Sequence, residues 1–255
     1  MRRRAKAVDV VATVAAFALF LGVWHVLASS GSYPFIPSIS QTLTTLVTEI
    51  ANGGLLRPAG ETLQVAGLGL LIAAVLGIVV GVVTGVSRAW SQVLDPLVNA
   101  AYSTPIAVMI PILGIYVGLE LRGKLFIVVT FCVFVIIMNT AAGIRQVDPG
   151  LVEMARSLEM SRWKVYRTVI LPGAMPQVLT GLRIATGRAV QGVLVAELLL
   201  NVSGLGYYLV IAGSSFDTPR LVAGTLFVTL LAFVVLFVVG RLERRALRWK
   251  AFEAR

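Results

Sequence analysis

The segment Asp148–Pro172, DPGLVEMARSLEMSRWKVYRTVILP, is a polar and basic island between two long apolar segments. Asp148 is of a residue type that caps helices, and Pro149 suits the first helical position after it. An apolar stripe follows at the spacing of one helical face: Leu151, Met154, Ala155 and Leu158. A simple connection between two spans needs fewer residues, so the segment predicts short helices that present a surface to a soluble partner.

A second short helix is predicted from Ser161, which can cap it. Its aromatic and apolar side carries Trp163, Tyr166 and Ile170. The cations Arg162, Lys164 and Arg167 surround that side. Pro172 is predicted to end this helix, because the residue before a proline is disfavoured in the helical region.

This segment resembles the cytoplasmic EAA loop of binding-protein-dependent ABC transporter permeases. The family pattern is Glu-Ala-Ala, three residues, Gly, nine residues and Ile-x-Leu-Pro. Here Glu153-Met154-Ala155 opens the pattern and Val169-Ile170-Leu171-Pro172 closes it at the same spacing. Met154 and Glu159 depart from the pattern, and Glu159 stands where the family has glycine. Glycine takes a positive φ without steric cost and glutamate does not, so the turn at this position is in question.

A second resemblance lies downstream, in GLRIATGRAVQGVLVAELLLNVSGLGYYL at residues 181–209. This run is similar to the nitrate, sulfonate and taurine branch of the same family. The resemblance to the family as a whole covers most of the chain, roughly residues 62–250.

The composition predicts a membrane protein. The chain of 255 residues is 58% hydrophobic and only 13% charged, whereas a soluble domain has about 25% charged residues. Its net charge of +10 comes from clusters beside apolar segments, which is typical of orientation signals and argues against a nucleic-acid partner. Cys132 is the single cysteine and His25 the single histidine, so the sequence predicts neither a disulfide nor a metal site.

The sequence predicts an all-α membrane protein with six transmembrane helices, at about residues 10–28, 62–86, 96–118, 125–144, 173–200 and 221–240. A signal peptide cleaved after Ala28 is the alternative for the first, but its apolar run is longer than the 7–15 residues of a signal core. The predicted division is an N-terminal helix with an external loop at residues 1–60, a transmembrane core at 61–242 and a basic tail at 243–255. Residues 201–219 are predicted to form an external loop.

Charge distribution predicts the orientation. With six spans, the segments on the side of both termini hold sixteen lysines and arginines, and the opposite segments hold four. The positive-inside rule therefore predicts that both termini and the loop at 148–172 lie in the cytoplasm. The family resemblance implies a multi-pass protein of the bacterial cytoplasmic membrane.

Two further patterns concern how the spans pack. Small residues recur every four positions in the second span and predict a close helix contact: Gly69, Ala73, Gly77, Gly81 and Gly85. Pro105 and Pro111 interrupt the third span, which indicates either a broken helix beside a transport path or a plain kink.

Charged residues in the fifth span are candidates for function, because charges at bilayer depth are costly and face a bundle interior or water. Arg188 shares a helical face with Gln191 and Val195, and we predict that this face lines the path of an anionic solute. The alternative is that Arg188 pairs with a carboxylate or with backbone carbonyls. Arg183 and Glu197 match recurring family positions, and the resemblance implies that they are architectural.

The resemblance implies that the chain is the permease subunit of an ATP-driven importer and is not itself an enzyme. Its implied partners are two cytoplasmic ATPases, a second permease copy that forms a homodimer with it, an extracytoplasmic solute-binding protein and membrane lipid. The run from Gly118 to Lys124 lacks the final Ser/Thr of a P-loop, so ATP and Mg²⁺ are expected only on the ATPases. The expected ATPase-coupling residues are Glu153, Met154, Ala155, Arg156, Leu158, Glu159, Leu171 and Pro172.

Three other classes are weighed against this one. The membrane component of an energy-coupling-factor vitamin importer also docks ATPases by short helices, but it lacks the Leu-Pro spacing. A secondary transporter or channel would show paired intramembrane acids or an inverted repeat. A membrane enzyme would need a catalytic cluster, and none is visible in the sequence. The solute expected from the resemblance is small and anionic: nitrate, a sulfonate, taurine or a related organic acid.

Overall fold

The computed structural model describes residues 2–30 and 35–247, which form helices and no strand. The all-α class is therefore confirmed for this part of the chain. The helices in chain order are α1 Arg2–Ser29, α2 Ile39–Ala51, α3 Leu56–Val86, α4 Arg88–Ser103, α5 Ile106–Val117, α6 Leu121–Arg145, α7 Pro149–Ser157, α8 Arg162–Val165, a π-helical segment Tyr166–Ile170, α9 Leu171–Leu200, α10 Leu205–Ser214 and α11 Thr218–Ala246.

Four of the described helices are long and apolar enough to cross a membrane: α1, α3, α6 and α11. Two bent pairs raise the number to 6 if each pair is one span. The first pair is α4 with α5, and the second is the continuous helix Arg162–Leu200 with α10. The six predicted spans thus correspond to four straight helices and two bent pairs.

The third predicted span, residues 96–118, is a broken helix rather than a plain kink, and its predicted start is wrong because α4 begins at Arg88. Its two halves, α4 and α5, meet at 95°. Thr104 between them has an extended backbone with ψ of 130°, because the ring of Pro105 excludes the helical conformation from the residue before it. Pro111 lies inside α5 and does not end it.

The prediction that Pro172 ends the second loop helix is also wrong. The chain stays helical from Arg162 to Leu200. The π-helical segment just before Pro172 explains this: the Leu171 N–H bonds to the Tyr166 carbonyl, five residues back. The π turn adds one residue to the helix just before Pro172, so the change in the hydrogen-bond pattern falls next to the residue that has no N–H to donate.

Two other boundaries differ from the predictions. The second span begins at Leu56 rather than at residue 62, with Pro58 in its first turn. The predicted external loop at residues 201–219 contains a helix, α10. Asn201 in a left-handed conformation and Gly204 with φ of 127° turn the chain between α9 and α10.

The chain divides into two compact units, residues 1–57 with 208–229 and residues 58–207 with 230–255. In the first unit, the Arg220 guanidinium lies 2.9 Å from the Glu49 carboxylate and ties α11 to α2. The core of the second unit lies among α3, α6 and α9, where Ala73, Cys132 and Ala185 are fully buried.

The small residues of α3 pack against α6, as the sequence predicts. A Cβ atom added at Gly77 would lie 2.8 Å from Ile136, and one added at Gly85 would lie 2.9 Å from Ile144. The numbers of the contacting residues rise together along the two helices, from Gly77 with Ile136 to Gly85 with Ile144, so α3 and α6 run parallel. Two parallel helices that are consecutive long spans require a return crossing between them, and only α4 with α5 connects them. The bent pair therefore returns the chain across the bilayer.

Candidate functional sites

The loop between α6 and α9 begins with a capped helix. The Asp148 carboxylate accepts a hydrogen bond from the Gly150 N–H at 2.8 Å, and Pro149 takes the first position of α7. This matches the predicted start of the loop. The cap satisfies an amide that the first turn of a helix leaves unpaired.

Glu159 closes α7 in the left-handed region, with φ of 54°. The Met160 N–H donates to the Ala155 carbonyl at 3.2 Å, and the Glu159 N–H donates to the Arg156 carbonyl at 2.9 Å. These two bonds form a Schellman motif, which is usually built with glycine at the left-handed position. The backbone thus keeps the glycine conformation of the EAA pattern although the residue is a glutamate.

One residue of the predicted apolar stripe is buried in the loop, and the other three are exposed. Ala155 is only 2% exposed, whereas Leu151, Met154 and Leu158 are exposed by 48%, 58% and 70%. We call these three side chains the α7 apolar face. Glu153 and Arg156 are exposed on other sides of α7.

The second helix of the loop begins as predicted at Ser161, whose hydroxyl accepts from the Lys164 N–H at 3.4 Å. Trp163 is largely exposed and Val165 is buried. Leu171 and Pro172 lie in the first turn of α9, directly after the π-helical segment.

Arg145 joins the loop to the spans. It is in the last turn of α6, and its Nη2 donates to Asp95 Oδ2 at 2.8 Å and to the Ser91 hydroxyl at 3.0 Å. The same nitrogen donates to the Thr84 carbonyl at 3.1 Å. One guanidinium therefore links the end of α6 to α3 and α4, a short distance along the chain from Asp148.

Arg188 lines a cavity of about 320 Å³ at the break between α4 and α5. Tyr102, Thr104 and Pro105 from the break and Thr130 from α6 share the lining. Among the described residues, the hydrogen-bond partner of Arg188 is the Tyr102 hydroxyl, at 3.5 Å. No described carboxylate forms an ion pair with it, so its charge faces a cavity with polar hydroxyl groups.

The other two residues predicted on the Arg188 face are not among those that line this cavity. Gln191 is exposed on α9. Val195 packs against an apolar cluster that includes Ile110, Ile127 and Leu200.

Glu197 is fully buried at the far end of α9 and is held by polar groups from three elements. The Thr62 hydroxyl lies 3.0 Å from both carboxylate oxygens and accepts from the Leu205 N–H at 2.9 Å. The Gly206 N–H donates to Glu197 at 2.9 Å. The ammonium group of Lys124 is 4.0 Å from the carboxylate. These contacts join the starts of α3, α6 and α10 to the end of α9.

Arg183 contacts an acid of the last helix. Its guanidinium lies 3.2 Å from the Glu243 carboxylate, and its side chain is 51% exposed. Arg183, near the middle of α9, and Glu197, near its end, therefore contact different partners.

Sequence reasoning missed the residues that surround Arg188 and the buried Glu197. Tyr102 and Thr130 beside Arg188 lie in segments that carry no motif. For the residues beside Glu197, one sequence signal was available. A buried charge in the membrane requires a partner, and Lys124 directly precedes an apolar segment. The described residues contain no group of three potential metal ligands.

Known proteins resemble this chain along most of its length. Residues 73–248 match the family model of the binding-protein-dependent transport system inner membrane component. The Escherichia coli (strain K12) protein SsuC, named as an aliphatic sulfonates transport permease, is 34% identical over 231 residues, which are 90% of this chain and 88% of SsuC. The taurine transport system permease TauC of the same strain is 30% identical over 248 residues, 94% of this chain and 90% of TauC.

A solved structure shows the same fold. The MetNI methionine ABC transporter in an inward-facing conformation superposes with a TM-score of 0.66 at 20% identity, over 74% of this chain and 94% of that chain. Since the family model spans more than half of the sequence and the two relatives align with nearly all of it, the chain belongs to the family of binding-protein-dependent transport system inner membrane components, the permease subunits of ABC importers.

Proposed function

We propose that this permease forms the translocation path for a small organic sulfonate. The observation that carries the proposal is the cavity at the α4–α5 break, where Arg188 supplies a cation without a described acidic partner. Tyr102, Thr104 and Thr130 add hydroxyl groups that can donate to sulfonate oxygens. An arginine presents several donors at fixed angles and suits an oxyanion with several acceptors. SsuC is named for aliphatic sulfonates and TauC for taurine, which carries a sulfonate group, and both support this solute class over nitrate.

The proposed complex contains two copies of this chain, two cytoplasmic ATPases that bind ATP and Mg²⁺, and an extracytoplasmic solute-binding protein, within membrane lipid. The family description, with its binding-protein-dependent transport, supports the binding protein. We retain the predicted division into residues 1–60, 61–242 and 243–255, with both termini in the cytoplasm.

The loop at residues 148–172 is the proposed ATPase contact. The α7 apolar face leaves three hydrophobic side chains uncovered on a polar loop, which favours a protein partner. Movement of α7 would pull on the end of α6, and Arg145 would pass that movement to Asp95 on α4. Since α4 ends at the break that borders the Arg188 cavity, this route joins ATPase closure to the solute path.

Transport tests the solute proposal. In proteoliposomes with ATPases and binding protein, Arg188→Gln should reduce uptake of taurine and of an alkanesulfonate by at least tenfold, because a charged hydrogen bond in a low-dielectric site contributes about 1.5–3 kcal/mol. Arg188→Lys should retain part of the uptake, because it keeps the charge without the planar donors. ATP hydrolysis stimulated by the loaded binding protein should persist in both variants.

Two results would contradict the proposal. One is unchanged uptake of both sulfonates by Arg188→Gln. The other is loss of complex assembly together with uptake, since Arg188 would then be structural. Nitrate uptake in the same assay decides between the two anion classes.

The coupling contact has its own test. Met154→Asp with Leu158→Asp should prevent the ATPases from co-purifying and abolish uptake, because the charges would be buried in the contact. Ser157→Asp is the control, since it adds one aspartate to α7 beside the α7 apolar face without removing an apolar side chain. ATPase binding by the double variant equal to that of the control would place the contact elsewhere.

A further inference from the structure

An apolar cavity of about 330 Å³ lies where α3 and α6 end and the π-helical segment begins. Val82 and Val86 of α3 and Ile144 of α6 form one side of it, and Trp163, Tyr166 and Ile170 form the other. The lining side chains are hydrophobic or aromatic apart from one serine, Ser87.

A polar cavity of about 470 Å³ adjoins the apolar one. Arg156 and Arg162 line it, and Tyr166 and Ile170 belong to both cavities. The π-helical segment therefore lies between a hydrophobic cavity and a cavity lined by two guanidinium groups.

The charge around the polar cavity is positive. Residues 161–171 contain three cations, Arg162, Lys164 and Arg167, and no acid. None of them, nor Arg156, forms an ion pair with another described residue, although Glu153 and Glu159 are on the same loop.

The position of the two cavities along the spans indicates what occupies them. They lie at the inner ends of α3 and α6, where the predicted membrane boundary falls. Tryptophan and tyrosine are enriched at that level, and basic residues next to spans attract anionic lipids of the cytoplasmic leaflet. An acidic peptide would satisfy the arginines but would leave the apolar cavity empty, and a free phosphate would do the same.

We propose that an anionic phospholipid binds here, with one acyl chain in the apolar cavity and its phosphate between Arg156 and Arg162. The lipid would hold the π-helical segment against α3 and α6, and would thereby position the coupling loop. This proposal does not depend on which solute is transported.

Lipid retention by the intact complex tests it. The complete transporter is purified from membranes in mild detergent and washed, and native mass spectrometry measures its retained phosphatidylglycerol and phosphatidylcholine after exchange into an equimolar mixture of the two. The parent complex should retain phosphatidylglycerol preferentially. Arg156→Gln with Arg162→Gln should lower that retention at least threefold.

Two further variants localise the effect. Val86→Phe fills the apolar cavity and should lower phosphatidylglycerol retention without removing a charge. Arg244→Gln with Arg245→Gln is the matched control, because it removes two exposed cations from the end of α11 and should change nothing. Inorganic phosphate at millimolar concentration should not displace the lipid, since it cannot replace the acyl-chain contact.

Several results would overturn the proposal. Equal retention of the two lipids, or retention by the Arg156/Arg162 variant equal to that of the control, shows that the arginines bind no anionic lipid. Unchanged retention in Val86→Phe with displacement by phosphate shows an anion site without an acyl chain. Loss of the ATPases from the Arg156/Arg162 variant with lipid retained assigns the arginines to the ATPase.

Discussion

Glu159 holds a backbone conformation that costs free energy for any residue with a Cβ atom. The left-handed conformation costs about 1–2 kcal/mol for an ordinary L-residue. Two hydrogen bonds of the Schellman motif, from Glu159 and Met160, keep the residue there and offset part of that cost. The end of α7 is therefore held under local strain.

Glu159→Gly should stabilise the end of α7 by about 0.5–1 kcal/mol, because relief of the strain exceeds the added entropy of the unfolded chain. Hydrogen–deuterium exchange at the amides of Glu159 and Met160 should slow severalfold. Glu159→Ala is the control: it removes the same carboxylate but keeps the Cβ atom, so exchange should not slow. Equal slowing in both variants would assign the effect to the charge.

Gly206 contacts Glu197 so closely that no side chain fits. An added Cβ atom would lie 2.6 Å from Glu197 Cβ and 2.7 Å from the Leu194 carbonyl oxygen. Gly206→Ala should therefore destabilise the permease by about 1–3 kcal/mol. The matched control is Gly213→Ala in the same helix, where an added Cβ meets nothing within 4 Å and stability should not fall.

A thiol-reactive dye measures both variants, since Cys132 is the single cysteine and is fully buried. Labelling of Cys132 during heating reports unfolding, and Gly206→Ala should be labelled at a lower temperature than the parent. A parent-like labelling temperature for Gly206→Ala would contradict the close packing.

The sequence predicts single residues well where local geometry decides. Asp148 and Ser161 cap helices because the cap needs only their own side chains and amides a few residues away. Glu159 stands where the family has glycine, and in the structure this residue has the positive φ that glycine favours. Partners distant in the chain, such as Thr62 and Glu197, could not be predicted, because no local pattern links residues 135 positions apart.

At the scale of elements, α3 and α6 contact each other through glycines instead of large side chains. Helices in lipid gain no hydrophobic driving force from each other, so close van der Waals packing decides their association. The side chains of Val128, Ile136 and Thr140 on α6 occupy the space that the glycines leave.

Gly81→Ala should weaken this contact by about 1–3 kcal/mol, because its Cβ atom would lie 2.6 Å from Thr140 Cβ and 2.9 Å from the Ile137 carbonyl oxygen. Gly67→Ala on the same helix is the control, since an added Cβ there meets nothing within 4 Å. Alanine favours the helix by about 1 kcal/mol over glycine, so this control should match or exceed the parent in thermal stability. Equal losses in both variants would refute a specific α3–α6 contact.

The two proline predictions show where element boundaries become unpredictable. Pro105 breaks the third span as its sequence suggests, because Thr104 must leave the helical region. The same local rule applies before Pro172, yet Leu171 stays in the helical region and the helix continues, because the π turn there accommodates the proline. A π turn leaves no recognisable pattern in the sequence, so the continuous helix could not be foreseen.

For the whole molecule, membership of the permease family removes the other transporter classes and the membrane enzyme that the sequence left open. Hydropathy predicts six spans correctly in number only if each bent pair counts as one. A bent pair contains enough apolar residues for a crossing, and composition carries no information about the angle between its halves.

Orientation in the membrane can be measured by accessibility. In a Cys132→Ser background, Ser157→Cys should react with a membrane-impermeant maleimide only after the cells are permeabilised, because the charge distribution predicts a cytoplasmic loop. Ser214→Cys, at the end of α10, should react in cells whose cytoplasmic membrane is intact. The reverse pattern would invert the topology and exclude an ATPase contact at the loop.

The π-helical segment Tyr166–Ile170 also determines how the loop before it is rotated about the axis of α9. Each residue of an α-helix advances the chain by about 100° and 1.5 Å, so one extra residue per turn determines the direction in which everything before it points. Deletion of a single residue within this segment would restore regular winding, yet it would swing the α7 apolar face about a quarter turn away from its present direction. The number of residues between Glu153 and the Leu171-Pro172 pair thus determines the direction in which each side of α7 points. A permease with one residue fewer would turn the α7 apolar face away from the proposed ATPase contact.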